Sequence, residues 1–135
     1  MRRAALALVA AALLAGCSGD GDESGSADGG GGTALTVEVT GLPELGGGGR
    51  RLTLACDPPG GTHPNPREAC AALDADRDAL RPVPRDATCS EEDGGPQRAL
   101  VTGTLEGEPV EARLSRANGC EIDRWSHLRP LLDVG

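Results

Sequence analysis

The sequence predicts an α+β domain: an antiparallel β-sheet of about five strands, one main helix packed on one face, and two disulfides. Three observations predict it. Apolar residues alternate with period two in several short segments, whereas only one segment carries a helical period. The segments come in a non-alternating order, which argues against a parallel βαβ sheet. Apart from Cys17, the cysteines are four, Cys56, Cys70, Cys89 and Cys120, an even number of the kind that staples small exported domains.

The N-terminus reads as an export signal. Arg2 and Arg3 open it, and Ala4 to Ala15 are unbroken apolar residues. That run is about a dozen residues, whereas a membrane-spanning helix needs about 20. Leu14-Ala15-Gly16-Cys17 resembles a bacterial lipobox, in which residues 1–16 are removed and Cys17 is lipidated; the competing reading is an ordinary signal peptide with a stray cysteine. Acyl chains at Cys17 would anchor the protein, each buried methylene contributing roughly 0.8 kcal/mol. The expected location is therefore extracytoplasmic, lipid-anchored at the cell membrane, with a secreted form as the other outcome. Ser18 to Gly32 is almost entirely Gly, Ser and Asp and cannot bury an apolar face. Residues 17–33 thus read as the lipidated cysteine and a flexible tether of about 20 Å root-mean-square span, with the domain over 34–135.

Within the domain, Leu35, Val37 and Val39 alternate with Thr36, Glu38 and Thr40, a half-buried strand. Gly46 to Gly49 read as a mobile loop before a second strand bearing Leu52, Leu54 and Cys56; a strand follows these glycines, so they are not a phosphate cradle. Asn65 as cap, Pro66 at the first turn and Glu68 three residues after the cap start the helix. Cys70, Leu73 and Leu80 share its apolar face, and Pro82 and Pro84 end it. Ala99, Val101, Gly103 and Leu105 form a third strand and Val110, Ala112 and Leu114 a fourth, with a turn at Glu106-Gly107. Leu128 to Val134 read as an edge strand.

Charge narrows the function classes. Removing residues 1–16 takes away two arginines and no acid, leaving 11 basic against 21 acidic residues, a net charge of −10 with no lysine. Such a surface repels phosphate backbones and excludes nucleic acid as a partner. No cysteine stands in a Cys-x-x-Cys pair and no Asp-x-Asp-x-Asp-Gly loop occurs, so no metal and no cofactor is expected. His63 and His127 are the only histidines, and no Gly-x-Ser-x-Gly motif accompanies them; the chain does not read as an enzyme. Trp125, the lone aromatic residue, reads as a cover for a core of Leu, Val, Ala and Ile. Such a core is marginal without staples. Spacing alone leaves three disulfide pairings open.

Leu52-Thr53-Leu54-Ala55-Cys56, Gly61-Thr62-His63-Pro64 and Ala69-Cys70-Ala71-Ala72-Leu73, with Asn118-Gly119-Cys120 further on, carry a resemblance. Over about residues 34–120 the chain resembles the Streptomyces subtilisin inhibitor family, the subtilisin inhibitor-like serine protease inhibitors, here in a lipoprotein form. The resemblance implies the pairs Cys56 with Cys70 and Cys89 with Cys120, contributing roughly 3 and 3.7 kcal/mol by chain entropy. It also implies an inhibitory loop of Cys89, Ser90 and Asp93 around a reactive bond between Glu91 and Glu92. Asn118 would support that loop by side-chain hydrogen bonds; read from its residues alone, it is a turn residue before Gly119. The implied partners are a secreted or envelope serine protease and, through the sheet, a second copy in a homodimer.

The chain departs from the family where specificity is set. Glu91 stands where the family carries an apolar or basic side chain, and an apolar pocket would have to desolvate it at a cost of several kcal/mol. Gly94 and Gly95 are expected to loosen the far side of the loop, and Ala112 and Arg116 replace aromatics. Two readings follow. One is a disulfide-braced inhibitor of a glutamyl-specific protease. The alternative is a non-inhibitory cell-envelope lipoprotein on the same scaffold, with Glu91-Glu92-Asp93 a solvated acidic turn.

Overall fold

The computed structural model describes residues 31–135; the expected signal peptide, Cys17 and the tether as far as Gly30 lie outside the described residues. Five strands form one antiparallel sheet: β1 (Ala34–Leu42), β2 (Gly48–Cys56), β3 (Pro59–Gly60), β4 (Arg98–Leu105) and β5 (Glu108–Leu114), in the order β3-β2-β1-β4-β5. The period-two pattern sets the register. Val37 sits opposite Leu52 on one side and Val101 on the other, and Val101 sits opposite Ala112. Leu35, Val37, Val39, Leu54, Val101 and Leu114 therefore share one buried face, each contributing roughly 1.5–3 kcal/mol by leaving water.

The opposite face is polar. Thr53, Thr36, Thr102 and Glu111 form one cross-sheet row, and Arg51, Glu38, Leu100 and Arg113 form the next. Arg51 Nη2 pairs with Glu38 Oε2 at 2.8 Å. Between β4 and β5, Glu106 and Gly107 make the expected two-residue turn with φ of 50° and 81°, the type I′ geometry whose twist matches the flanking strands.

Three helices cover the buried face: α1 (Pro66–Ala75), α2 (Gly119–His127) and α3 (Arg129–Leu132). Helix α1 begins where expected and buries Ala69, Cys70, Ala72 and Leu73, but it ends at Ala75. Leu80 lies on a separate 3₁₀ turn, Arg77–Leu80, and is still buried. Asn65 forms no side-chain cap; its N–H instead donates to His63 Nδ1 at 3.0 Å. Of the Gly46–Gly49 run, Gly48 and Gly49 belong to β2.

The C-terminal edge strand is corrected to a helix. Leu128, Leu131, Leu132 and Val134 are all buried, and a strand would send Leu131 and Leu132 to opposite faces. Spacings of three and four put the leucines on one helical face, and Pro130 lies in the first helical turn. The fifth strand is instead the two-residue β3. Helix α2 was not foreseen from the sequence at all.

Two buried polar side chains lock the helices down. His63, 4% exposed, accepts from the Asn65 N–H at Nδ1, which leaves Nε2 to donate to the Leu131 carbonyl at 2.9 Å. The ring thus joins the segment before α1 to α3. Arg124, 9% exposed, donates through Nε to the Ala79 carbonyl at 2.9 Å and through Nη2 to the Leu80 carbonyl at 3.3 Å. Its Nη1 donates to Glu121 Oε2 at 2.8 Å and to the Arg113 carbonyl at 3.3 Å. One guanidinium therefore ties α2 to the 3₁₀ turn and to β5.

His63→Ala removes the partners of a part-buried N–H and a buried carbonyl, and urea denaturation is expected to show a loss of about 2–3 kcal/mol at unchanged slope. A smaller, pH-dependent effect is expected at the β4–β5 turn. Arg77 donates to both Glu106 oxygens, at 2.5 and 2.9 Å, and this hydrogen bonding and charge hold the Glu106 carboxyl below its ordinary value of 4.5. The pair's contribution is present above that ordinary value and is lost as pH falls through the lower native one. The Tm difference between the protein and Arg77→Ala should therefore be small at neutral pH, because the pair is exposed, and vanish in acid.

Candidate functional site

Between the 3₁₀ turn at Arg77–Leu80 and β4 lies a long connection, and its residues 87–95 form neither helix, strand nor turn. Such a stretch has no hydrogen-bond ladder of its own, so its shape must come from what backs it. The backing is a single segment, residues 116–120, which leaves β5 and enters α2.

Three contacts join the two segments. Cys89 is bonded to Cys120, with Cα atoms 5.3 Å apart. The Gly119 N–H donates to the Ser90 carbonyl at 3.0 Å, and the Gly94 N–H donates to the Arg116 carbonyl at 2.7 Å. Ser90, Glu91, Glu92 and Asp93 lie between these anchors, and all four are exposed. Glu91 and Glu92 make no ion pair among the described residues. Asp93 Oδ1 accepts from the Gly95 N–H at 2.9 Å, a local side-chain bond on the far side. Beside it an open notch is lined by Asp93, Gly95, Pro96, Arg98 and Ala117.

Two glycines are required by close approach. A Cβ on Gly119 would stand 2.0 Å from Ser90 Oγ, so a side chain there would push on the loop directly. A Cβ on Gly94 would stand 2.9 Å from Ile122 Cγ1 and 3.0 Å from Arg116 Cβ. Gly94 thus brings the loop backbone against its support rather than loosening it.

The expected site residues are brought together, with one change of role. Cys89, Ser90, Glu91, Glu92 and Asp93 form the projecting stretch, and both disulfides, Cys56–Cys70 and Cys89–Cys120, are present. Asn118, however, commits its side-chain oxygen to the helix. Its Oδ1 accepts from the Glu121 N–H at 3.0 Å and caps α2. The bracing expected of Asn118 comes instead from the next residue's main-chain N–H. Sequence reasoning missed Arg116, Gly119 as a donor, and Arg124, which seats α2 behind the loop. A signal did exist: Asn118 followed three residues later by Glu121 is a helix-start spacing.

The remaining candidates fall outside this site. His63 is buried in its structural role. His127 pairs with Asp76 and lies 3.5 Å from Asp123, half exposed on α2. Among the described residues no group of three or more His, Cys, Asp and Glu side chains could hold a metal ion. No helix among them is long and apolar enough to cross a membrane. Trp125 packs against the core, as expected.

The chain is similar to known proteins. Protease inhibitor SIL-V2 of Streptomyces orinoci is 37% identical over 75 residues, 53% of this chain and 68% of the relative. Subtilisin inhibitor-like protein 1 of Streptomyces cacaoi is 35% identical over 80 residues, 56% of this chain and 72% of the relative. Among solved structures, Streptomyces caespitosus sermetstatin, in complex with Bacillus licheniformis subtilisin, aligns with 76% of this chain and 97% of its own at 25% identity, with a TM-score of 0.46. A family model described as subtilisin inhibitor-like matches residues 32–118, and the chain belongs to the subtilisin inhibitor-like family.

Proposed function

We propose that the domain inhibits a serine protease by presenting residues 89–93 as a substrate-like loop, with the bond between Glu91 and Glu92 in the enzyme's cleft. The observation that carries this reading is the double anchorage of one exposed, otherwise structureless stretch to residues 116–120. The names of the two relatives, a protease inhibitor and a subtilisin inhibitor-like protein, support it.

The physics is preorganisation. A free peptide that enters a protease cleft loses backbone freedom worth roughly 1–2 kcal/mol per residue. A loop already held at both ends has forfeited much of that freedom on folding, so its contacts appear as affinity. If the bond is cut, the two new ends stay fastened to one support, and the reverse reaction competes with release.

Glu91 selects the enzyme. Its carboxylate is exposed and unpaired, so it can enter a pocket that offers a compensating cation, where charged hydrogen bonds contribute about 1.5–3 kcal/mol. An apolar pocket offers no such partner. The target is accordingly a glutamyl-specific serine protease, and subtilisin itself is a poor one. The lipobox-like Leu14-Ala15-Gly16-Cys17 supports a working location outside the cytoplasm, with the anchor at Cys17.

Titration of the purified domain against glutamyl-specific, trypsin-like and subtilisin-like proteases tests the reading. Near one-to-one inhibition of the first is expected, with a loss of at least tenfold in Glu91→Gly. Inhibition unchanged by that substitution, or rapid cleavage with no inhibition, would overturn it in favour of a non-inhibitory scaffold. For the anchor, Cys17→Ala is expected to release the protein into the medium, as fractionation and blotting would show; undiminished membrane retention refutes lipidation.

A further inference from the structure

We propose that Arg116 is a positioning residue that holds the far side of the loop, residues 94–97, so that the chain beginning at Glu92 stays in place after the reactive bond opens. This rests on the reactive-loop reading above and adds to it a second anchor independent of the disulfide.

Four observations converge on Arg116. Its carbonyl accepts the Gly94 N–H at 2.7 Å. Its Nη1 donates to Gln97 Oε1 at 3.1 Å, reaching the residue that leads into β4. Its guanidinium carbon lies 6.0 Å from the centroid of the Trp125 ring, within the range at which a cation is attracted to an aromatic face. Its Nε is buried with no hydrogen-bond partner, an unfavourable state for a donor. The side chain keeps that cost because its plane is committed to the ring below and to Gln97 beyond. The absent Cβ of Gly94, which would stand 3.1 Å from this Nε, lets the loop backbone rest directly on the guanidinium stem.

The role follows from where the chain would part. The protease serine oxygen gives up its proton and bonds the Glu91 carbonyl carbon, the bond to the Glu92 nitrogen breaks, and that nitrogen takes the proton and leaves as an amine; water then frees the Glu91 carboxyl from the serine. Resynthesis runs the same steps backwards and needs the amine close by. Cys89 and Ser90 are held by the disulfide and by Gly119, but they lie on the acyl side. On the amine side the first fixed points are Gly94 and Gln97, two and five residues beyond Glu92, and both are fastened to Arg116. A loosened Arg116 would let the amine drift while the acyl side stayed put.

Two readouts test this on Arg116→Met and on Gln97→Ala, which removes the acceptor of the Arg116 Nη1 and leaves the core untouched. The first is amide hydrogen exchange of the uncut protein, which needs no protease. The Gly94 N–H keeps its main-chain acceptor and the Gly95 N–H keeps Asp93 in both variants, so faster exchange there reports the lost side-chain support; a rise of at least tenfold is expected in both variants, with amides of Val37 and Val101 unchanged. The second is the ratio of cleaved to intact inhibitor at equilibrium with catalytic amounts of a glutamyl-specific protease, read by mass spectrometry. A rise of at least fivefold is expected, at a Tm close to the parent's for Gln97→Ala; a merely structural role would move Tm and leave the ratio alone. Unchanged exchange at Gly94 in both variants overturns the clamp. An unchanged ratio, with the parent protein still inhibitory, overturns the positioning role alone. Progressive degradation of the parent overturns the reactive-loop reading and this role with it, while the exchange result still reports whether Arg116 holds the loop.

Discussion

The covalent link between Cys89 and Cys120 is the constraint on which the site depends, because it joins a stretch with no ladder of its own to a helix that has one. Its value rests on the far partner being immobile. Cys120 lies in the first turn of α2, and α2 is seated by Arg124, whose guanidinium reaches the carbonyls of Ala79, Leu80 and Arg113. The path of support therefore runs from the sheet and the 3₁₀ turn through one buried cation into the helix, and from there through sulfur to the loop. A bridge to a wandering helix would restrict little.

This division of labour suits a core poor in large side chains. The fully buried residues are mostly Leu, Val and Ala, and the only aromatic, Trp125, is just partly covered. Domains of this size with small cores gain from cross-links and from polar groups that fasten elements at fixed points. Cys56–Cys70 ties β2 to α1, His63 ties the segment before α1 to α3, and Arg124 ties α2 to its neighbours. Each ring nitrogen of His63 and each guanidinium nitrogen of Arg124 has a hydrogen-bond partner, which is the condition for a buried polar group to hold a structure together rather than weaken it.

Much of the scaffold was legible in the sequence. Alternation over Leu35–Val39 and over Ala99–Leu105 marks strands because a sheet covered on one face demands it, and Glu106-Gly107 marks a tight turn. The start of α1 was legible from Pro66 and the apolar spacing, although Asn65 does not cap it. Helix α2 was hidden because its most buried side chain is Arg124, and a periodicity reading counts arginine as solvent-facing. Helix α3 was hidden by its brevity, since four residues cannot display a period. The cysteine partners were fixed by family resemblance rather than spacing, and the loop's support lies largely in main-chain groups of Arg116 and Gly119, which carry no letter in the sequence. Asn118 shows the converse: a side chain that looked like the brace belongs to the helix cap.

The sheet has two poles, and different segments of the chain meet them. At one, Gly32 and Thr33 are stitched to the Glu106–Gly107 turn by the Gly107 N–H to the Gly32 carbonyl and the Glu106 N–H to Thr33 Oγ1. At the other, Thr40 sits opposite Arg98, directly after the loop. The eight residues of β4 separate the two poles, roughly 25 Å of strand. The described chain thus enters the domain at Gly31 on the stern side, a full strand's length from the exposed acidic stretch at the prow.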